Sequence, residues 1–175
     1  MARQEVLNRG ALIQDAQPPR THKASPCSYH LVKFTEKQEF TGDPAQVWSR
    51  LSNLRTIPTY WHGTREFTAT KSGGKITADV VFAFGGKGKA EVTVDEAERT
   101  FILDYFEGPF EGRQKTTVKE NAIEAEWDVT FRRAYKVLGP WNASHFRSGT
   151  KHALLRLCER QTVQSEAQSA SSSSP

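Results

Sequence analysis

The sequence predicts an α+β domain in which a curved antiparallel sheet of about seven strands wraps one long C-terminal helix, with two short helices after the first strand. Three observations carry that prediction. Successive segments between Thr64 and Arg132 alternate apolar and polar residues, and their connections are short enough to suit only antiparallel neighbours. One long helical pattern follows them. A helix about 10 Å across is far narrower than strands spaced about 4.8 Å apart, so the sheet must curl to cover its apolar face.

The elements follow in chain order. Residues 1–28 mix Arg, Gln, Pro, Ser and Lys with no sustained period, and QPPR and ASP discourage regular structure, so a disordered tail is expected. Within it, VLNRGALI suits a short helix formed on a partner. The folded domain is expected over 29–163. Leu31 to Phe40 reads as a strand, with Val32, Phe34, Glu36, Gln38 and Phe40 in one phase. In TGDPAQVWSRLSNL, Asp43 is a natural N-cap, Pro44 suits the first turn, and Val47, Trp48, Leu51 and Leu54 recur at helical spacing. RTIPTYWHG reads as a second short helix or turn, closed by Gly63.

Strands are predicted near 64–71, 75–84, 88–95, 99–106, 111–119 and 122–132. Alternation is clearest in Ile76, Ala78, Val80, Phe82 and Phe84, and again in Ile123, Ala125, Trp127, Val129 and Phe131. Glu124, Glu126, Asp128 and Arg132 take the opposite phase, which predicts one apolar and one wet face. Asn142 or Ser144 can cap a helix of about 20 residues ending near Val163, with Phe146, Ala153, Leu154 and Leu157 on one stripe. The Ser-rich segment 164–175 is expected to be a disordered tail.

Composition bounds the function. At 175 residues the chain suits one domain, and ten Phe and four Trp allow a core although only 37% of residues are hydrophobic. No run approaches the roughly 18 apolar residues of a membrane span, and the N-terminus lacks the apolar core of a secretory signal, so a cytoplasmic protein is expected. Cys27 and Cys158 have neither metal-ligand spacing nor a disulfide framework around them, and His145 and His152 are separated by about 10.5 Å of helical rise, so no metal is expected. No cofactor motif is present either: Gly85, Gly86 and Gly88 in FGGKGKA lack a phosphate-loop frame and read as a hairpin turn.

A curled sheet against a single cylinder leaves concave space lined by apolar side chains. Val80, Phe82, Phe84, Trp127 and Val129 point to that space from the sheet, as do Phe34, Leu103 and Tyr105 by phase, with Phe146, Ala153 and Leu154 opposite them on the helix. Gln114 and Thr116 share a phase with Val118 and are candidates to orient a ligand, or are satisfied structurally by neighbouring strands. Glu36 is a candidate acid or base if its phase turns it inward, or an edge-strand carboxylate in water. Tyr105 and His145 complete the catalytic candidates.

The strand-helix opening FTGDPAQVWSRLSNL, the IPTYWHGT segment, the following β meander and the closing HFRSGTKHALLRL together resemble the START-like superfamily, also called Bet v 1-like or helix-grip, the polyketide cyclase/dehydrase and lipid-transport group. The resemblance covers roughly 31–160. It implies binding of lipids, polyketides or other hydrophobic molecules between sheet and helix, and catalysis in some members. It places Tyr60, Trp61 and His62 at the cavity entrance, where aromatic residues with polar edges suit a gate, although Trp61 is expected rather to pack against the long helix, and it places the FGGKGKA turn at the pocket lip.

Three functions compete. The first is a carrier or sensor of a hydrophobic small molecule, without catalysis, since no paired carboxylates, Cys-His couple or Ser-His-Asp set is readable. The second is a cyclase- or dehydratase-like enzyme acting on a polyketide or aromatic intermediate through Glu36, His145 or Tyr105. The third is a module binding nucleic acid, ribosome or an acidic protein, using the basic tail with Arg113, Lys115, Lys119, Arg132, Arg133 and Lys136 at a net charge of +4. Against it, Glu124, Glu126 and Asp128 share that face and can pair across strands.

Overall fold

The computed structural model describes residues 31–132 and 139–171, with the side chains of the second span described over 143–159. Strand β1 (Leu31–Glu39) leads into α1 (Pro44–Leu51), a 3-10 turn (Leu54–Thr56) and α2 (Ile57–Tyr60). Strands β2 (Thr64–Ser72), β3 (Lys75–Phe82), β4 (Lys87–Asp95), β5 (Thr100–Glu107), β6 (Phe110–Val118) and β7 (Ala122–Phe131) follow, and the last element is α3 (Gly139–Ser171). The strands form one antiparallel sheet in the order β1-β7-β6-β5-β4-β3-β2, so β2 to β7 are a meander and β1 returns beside β7 with Phe34 opposite Trp127. The α+β architecture predicted from the alternation is the one observed.

Local chemistry starts α1 as expected. The Asp43 carboxylate accepts from the backbone N–H of Ala45 at 2.8 Å, Pro44 occupies the first turn, and α1 buries Val47, Trp48 and Leu51. Asn53 caps the 3-10 turn by accepting from the Arg55 N–H. Ala78, Val80 and Phe82 of β3 are buried together with Ile123, Ala125, Trp127, Val129 and Phe131 of β7, while Glu126 and Asp128 face out. Register shifts at Thr64/Glu66 and Lys89/Ala90 are bulges that bend the sheet.

Three side chains tie α3 to β1, α1 and α2. Arg147 pairs with Glu36 of β1 at 3.4 Å, Arg50 of α1 donates to the Leu157 carbonyl at 2.9 Å, and Arg156 donates to the Tyr60 carbonyl of α2 at 3.1 Å. The far edge lies beyond the helix. There β2 is exposed on both faces from Thr68 to Ser72, so its alternation buries nothing at that end. Strand β3 ends at Phe82, and Phe84 belongs to the turn rather than the strand face, because Gly85 and Gly86 take φ of 92° and 98° and reverse the chain early.

Helix α3 is 33 residues long rather than about 20. It starts earlier because Pro140 suits a first turn, and it continues through 164–171 because no Gly or Pro follows Gly149 within it and Glu, Gln and Ala are good helix formers. The predicted tail 1–28, Cys27, Arg133, Lys136 and residues 172–175 lie outside the described residues.

Candidate functional site

Between α3, the β3–β4 turn and the end of α2 lies a cavity of about 300 Å³, at the small end of the size range of ligand sites. Its floor is buried and aromatic, made by Phe82, Tyr105, Phe110 and Trp127 with Thr64 and Thr150. Phe110 is the hub, its ring 4.8 Å from Tyr105, 5.0 Å from Phe82 and 5.4 Å from Phe146. Exposed residues mark the mouth: His62, Phe84, His145 and His152, with the half-buried Trp61 and Arg156 beside them. Helix α3 supplies His145, Phe146, Gly149, Thr150, His152 and Arg156, a stripe at helical spacing. Gly149 leaves room in that stripe, since a Cβ built there meets nothing within 4 Å.

One polar group in this wall is unmatched. The Trp127 indole N–H is buried with no hydrogen-bond partner among the described residues, whereas the Thr150 hydroxyl donates to the Phe146 carbonyl at 2.7 Å and is satisfied within the helix. Burial pushes the Tyr105 hydroxyl well above its ordinary range, and burial together with neighbouring Tyr105 does the same for Tyr60, whose hydroxyl donates to the Leu51 carbonyl at 3.3 Å. Tyr105 therefore stays protonated at neutral pH. Among the described residues the cavity lining contains no Asp or Glu, and no group of three His, Cys, Asp or Glu could hold a metal ion.

The predicted residues divide into three places. Trp61, Phe82, Phe84, Tyr105, Trp127, Phe146 and His145 come together at the cavity, with Phe84 at the mouth and stacked on Phe82 at 5.3 Å. Tyr60, Leu103 and Gln114 line only a void of about 10 Å³ beneath α2. Phe34, Val80, Thr116, Val129, Ala153 and Leu154 are buried in the core outside the cavity lining. Gln114 and Thr116 do face inward, but the Gln114 amide donates to the Thr116 hydroxyl at 3.1 Å, so the two satisfy each other. Ala153 is wholly buried against the sheet, and the open position on the helix is Gly149, one turn earlier.

Glu36 lies outside the cavity. Its inward phase is real, but Arg147 reaches it from α3 and also sits 5.1 Å above the Phe34 ring. His152 lines the mouth, because the cavity opens along the α3 stripe that carries it. Sequence reasoning missed Phe110, Gly149, Thr150 and Arg156. Gly149 carried a signal, lying three residues after Phe146 on the predicted stripe; Phe110 follows Gly108-Pro109, where alternation had not yet begun.

No protein-family model matches the sequence, and no curated protein resembles it closely enough to match. Solved structures do. Norcoclaurine synthase from Thalictrum flavum superposes with a TM-score of 0.55 at 15% identity, over 73% of this chain and 92% of that one. The di-domain ARO/CYC StfQ from the steffimycin biosynthetic pathway gives 0.56 at 11% identity, over 75% of this chain and 52% of that one. XoxI from Bacillus cereus gives 0.54 at 18% identity, over 74% of this chain and 98% of that one.

The chain has the START-like, or Bet v 1-like, fold. At these identities the likeness concerns the fold, and the chemistry of the site rests on the chain's own residues. Within the START-like frame, the space between sheet and C-terminal helix is where this chain places its aromatic floor.

Proposed function

We propose that this protein binds a compact apolar small molecule in the cavity between the sheet and α3, as a carrier or sensor. The observation that carries the reading is the aromatic floor: Phe82, Tyr105, Phe110 and Trp127, with Phe146 on the helix, line an open cavity between sheet and α3. A ligand with a ring system fits it, because its rings stack against theirs. The small volume favours one- or two-ring metabolites over long-chain lipids. No helix among the described residues is long and apolar enough to cross a membrane.

A cyclase-like enzyme is the second reading, favoured by the presence of Tyr105 and His145 on the same cavity. It also draws on the names of structural neighbours such as the Zhui aromatase/cyclase. In it Tyr105, kept protonated by burial, donates to a substrate oxygen and His145 moves a proton at the mouth. The basic-surface reading has less support. Arg113 pairs with Asp104, Lys115 with Glu126, Lys119 with Glu124 and Arg132 with Glu111, so these cations of the outer face already have acidic partners.

Native mass spectrometry of protein purified from its own source tests the proposal. A reproducible small apolar mass, lost on denaturation, is expected. Bare protein that also fails to bind the neutral naphthalene dye prodan would overturn it.

A further inference from the structure

The mouth of the cavity has a charge character that its floor lacks. Every described ionisable side chain in the lining is a His, an Arg or a Tyr: His62 from the segment after α2, His145, His152 and Arg156 from α3, and Tyr105 on the floor. None is a carboxylate, in a chain with 20 Asp and Glu residues. The three histidines are exposed, and Arg156 is held at the rim by a hydrogen bond from one Nη to the Tyr60 carbonyl. A guanidinium has five N–H donors in a planar fork suited to a carboxylate. An apolar floor under a cationic rim is complementary to an amphiphile whose polar end is an anion.

From this arrangement, and resting on the cavity reading above, we infer that the ligand is an organic acid: a compact one- or two-ring molecule whose carboxylate, or an equivalent oxyanion, sits at the rim formed by His62, His152 and Arg156. Its ring system lies on Phe82, Phe110 and Phe146. Arg156 supplies a permanent charge, and each histidine is a donor in either protonation state. The rim therefore discriminates against amides, esters and amines of the same ring system through charge and hydrogen bonding, while the floor contributes affinity common to all of them.

The test is isothermal titration calorimetry of the full chain with two probes of equal shape, 2-naphthoate and 2-naphthamide, alongside prodan as a neutral reference. Wild type is expected to bind 2-naphthoate at least tenfold more tightly than 2-naphthamide. Arg156→Gln and, separately, His152→Gln are expected to weaken 2-naphthoate more than 2-naphthamide or prodan, so that the preference for the acid falls by threefold or more. His152 is exposed, so its variant reads out the rim even if Arg156→Gln fails to fold through loss of the Tyr60 contact. Equal binding of acid and amide, or prodan binding with no response to 2-naphthoate, overturns this inference and leaves the cavity reading standing. Absence of binding by all three probes overturns both.

Discussion

Gly112 shows how one absent side chain sets the shape of the sheet. Its φ is 121°, and a Cβ placed there would lie 2.2 Å from the Asp128 carbonyl oxygen of the neighbouring strand. Gly112→Ala combines a backbone conformation that L-residues avoid with a backbone clash, so a loss of at least about 2 kcal/mol is expected, read as a clear drop in melting temperature. Tyr60 and Tyr105 give a second residue-scale prediction. Their folded hydroxyls titrate above the unfolded value of about 10, so the stability they contribute is fully present below about pH 10. It is lost as pH rises through the folded values, because the unfolded chain then releases protons that the native state retains. Melting temperatures measured from neutral pH to pH 11.5 should fall above about pH 10, and Tyr105→Phe should fall less steeply. Phase alone placed Phe82, Tyr105 and Trp127 on the inner face, since a two-residue period is a local property. The ion pair of Glu36 with Arg147 was not legible, because its partners are remote in sequence and meet only through packing of α3 on β1.

At the scale of elements, the tie between β1 and α3 separates structure from chemistry. Glu36 keeps little of its side chain in water while Arg147 keeps more than half, so their pair is a partly solvated one. Glu36→Gln is expected to change stability by less than about 1 kcal/mol and to leave prodan binding unaltered; loss of binding would return Glu36 to the site. Helix α3 was legible in type and in its buried stripe, but not in length, because SEAQSAS reads as low complexity although its Glu, Ala and Gln favour helix. Leu157 is its last fully buried described side chain. A chain cut to 29–163 is therefore expected to keep its stability within about 0.5 kcal/mol, the range of surface changes, as judged by urea unfolding. A larger loss would show that a terminal segment packs on the domain. Cys158, half-buried with its thiol pushed up to about 11 chiefly by burial, is expected to react slowly with thiol reagents in the native state.

For the whole molecule, the width of the sheet against one helix accounts for both the fold and the cavity. Salt-linked at β1 and hydrogen-bonded to α1 and α2, α3 covers one end of the sheet, and the space it does not fill is walled by rings from β3, β5, β6 and β7. That a cavity exists followed from element widths. Its position did not, since it depends on where Gly149 falls along α3 and where Gly85 and Gly86 end β3. The direct measurement is a fluorescence titration of wild type and Gly149→Leu with prodan, beside their melting temperatures. Leucine is a better helix former than glycine by about 0.8 kcal/mol, and the open space at Gly149 accepts its side chain. The account predicts that wild type binds prodan saturably at one site, and that Gly149→Leu melts at the same or a higher temperature while binding at least tenfold more weakly. A stable variant that binds prodan as wild type does, or a wild type that binds none, would contradict it.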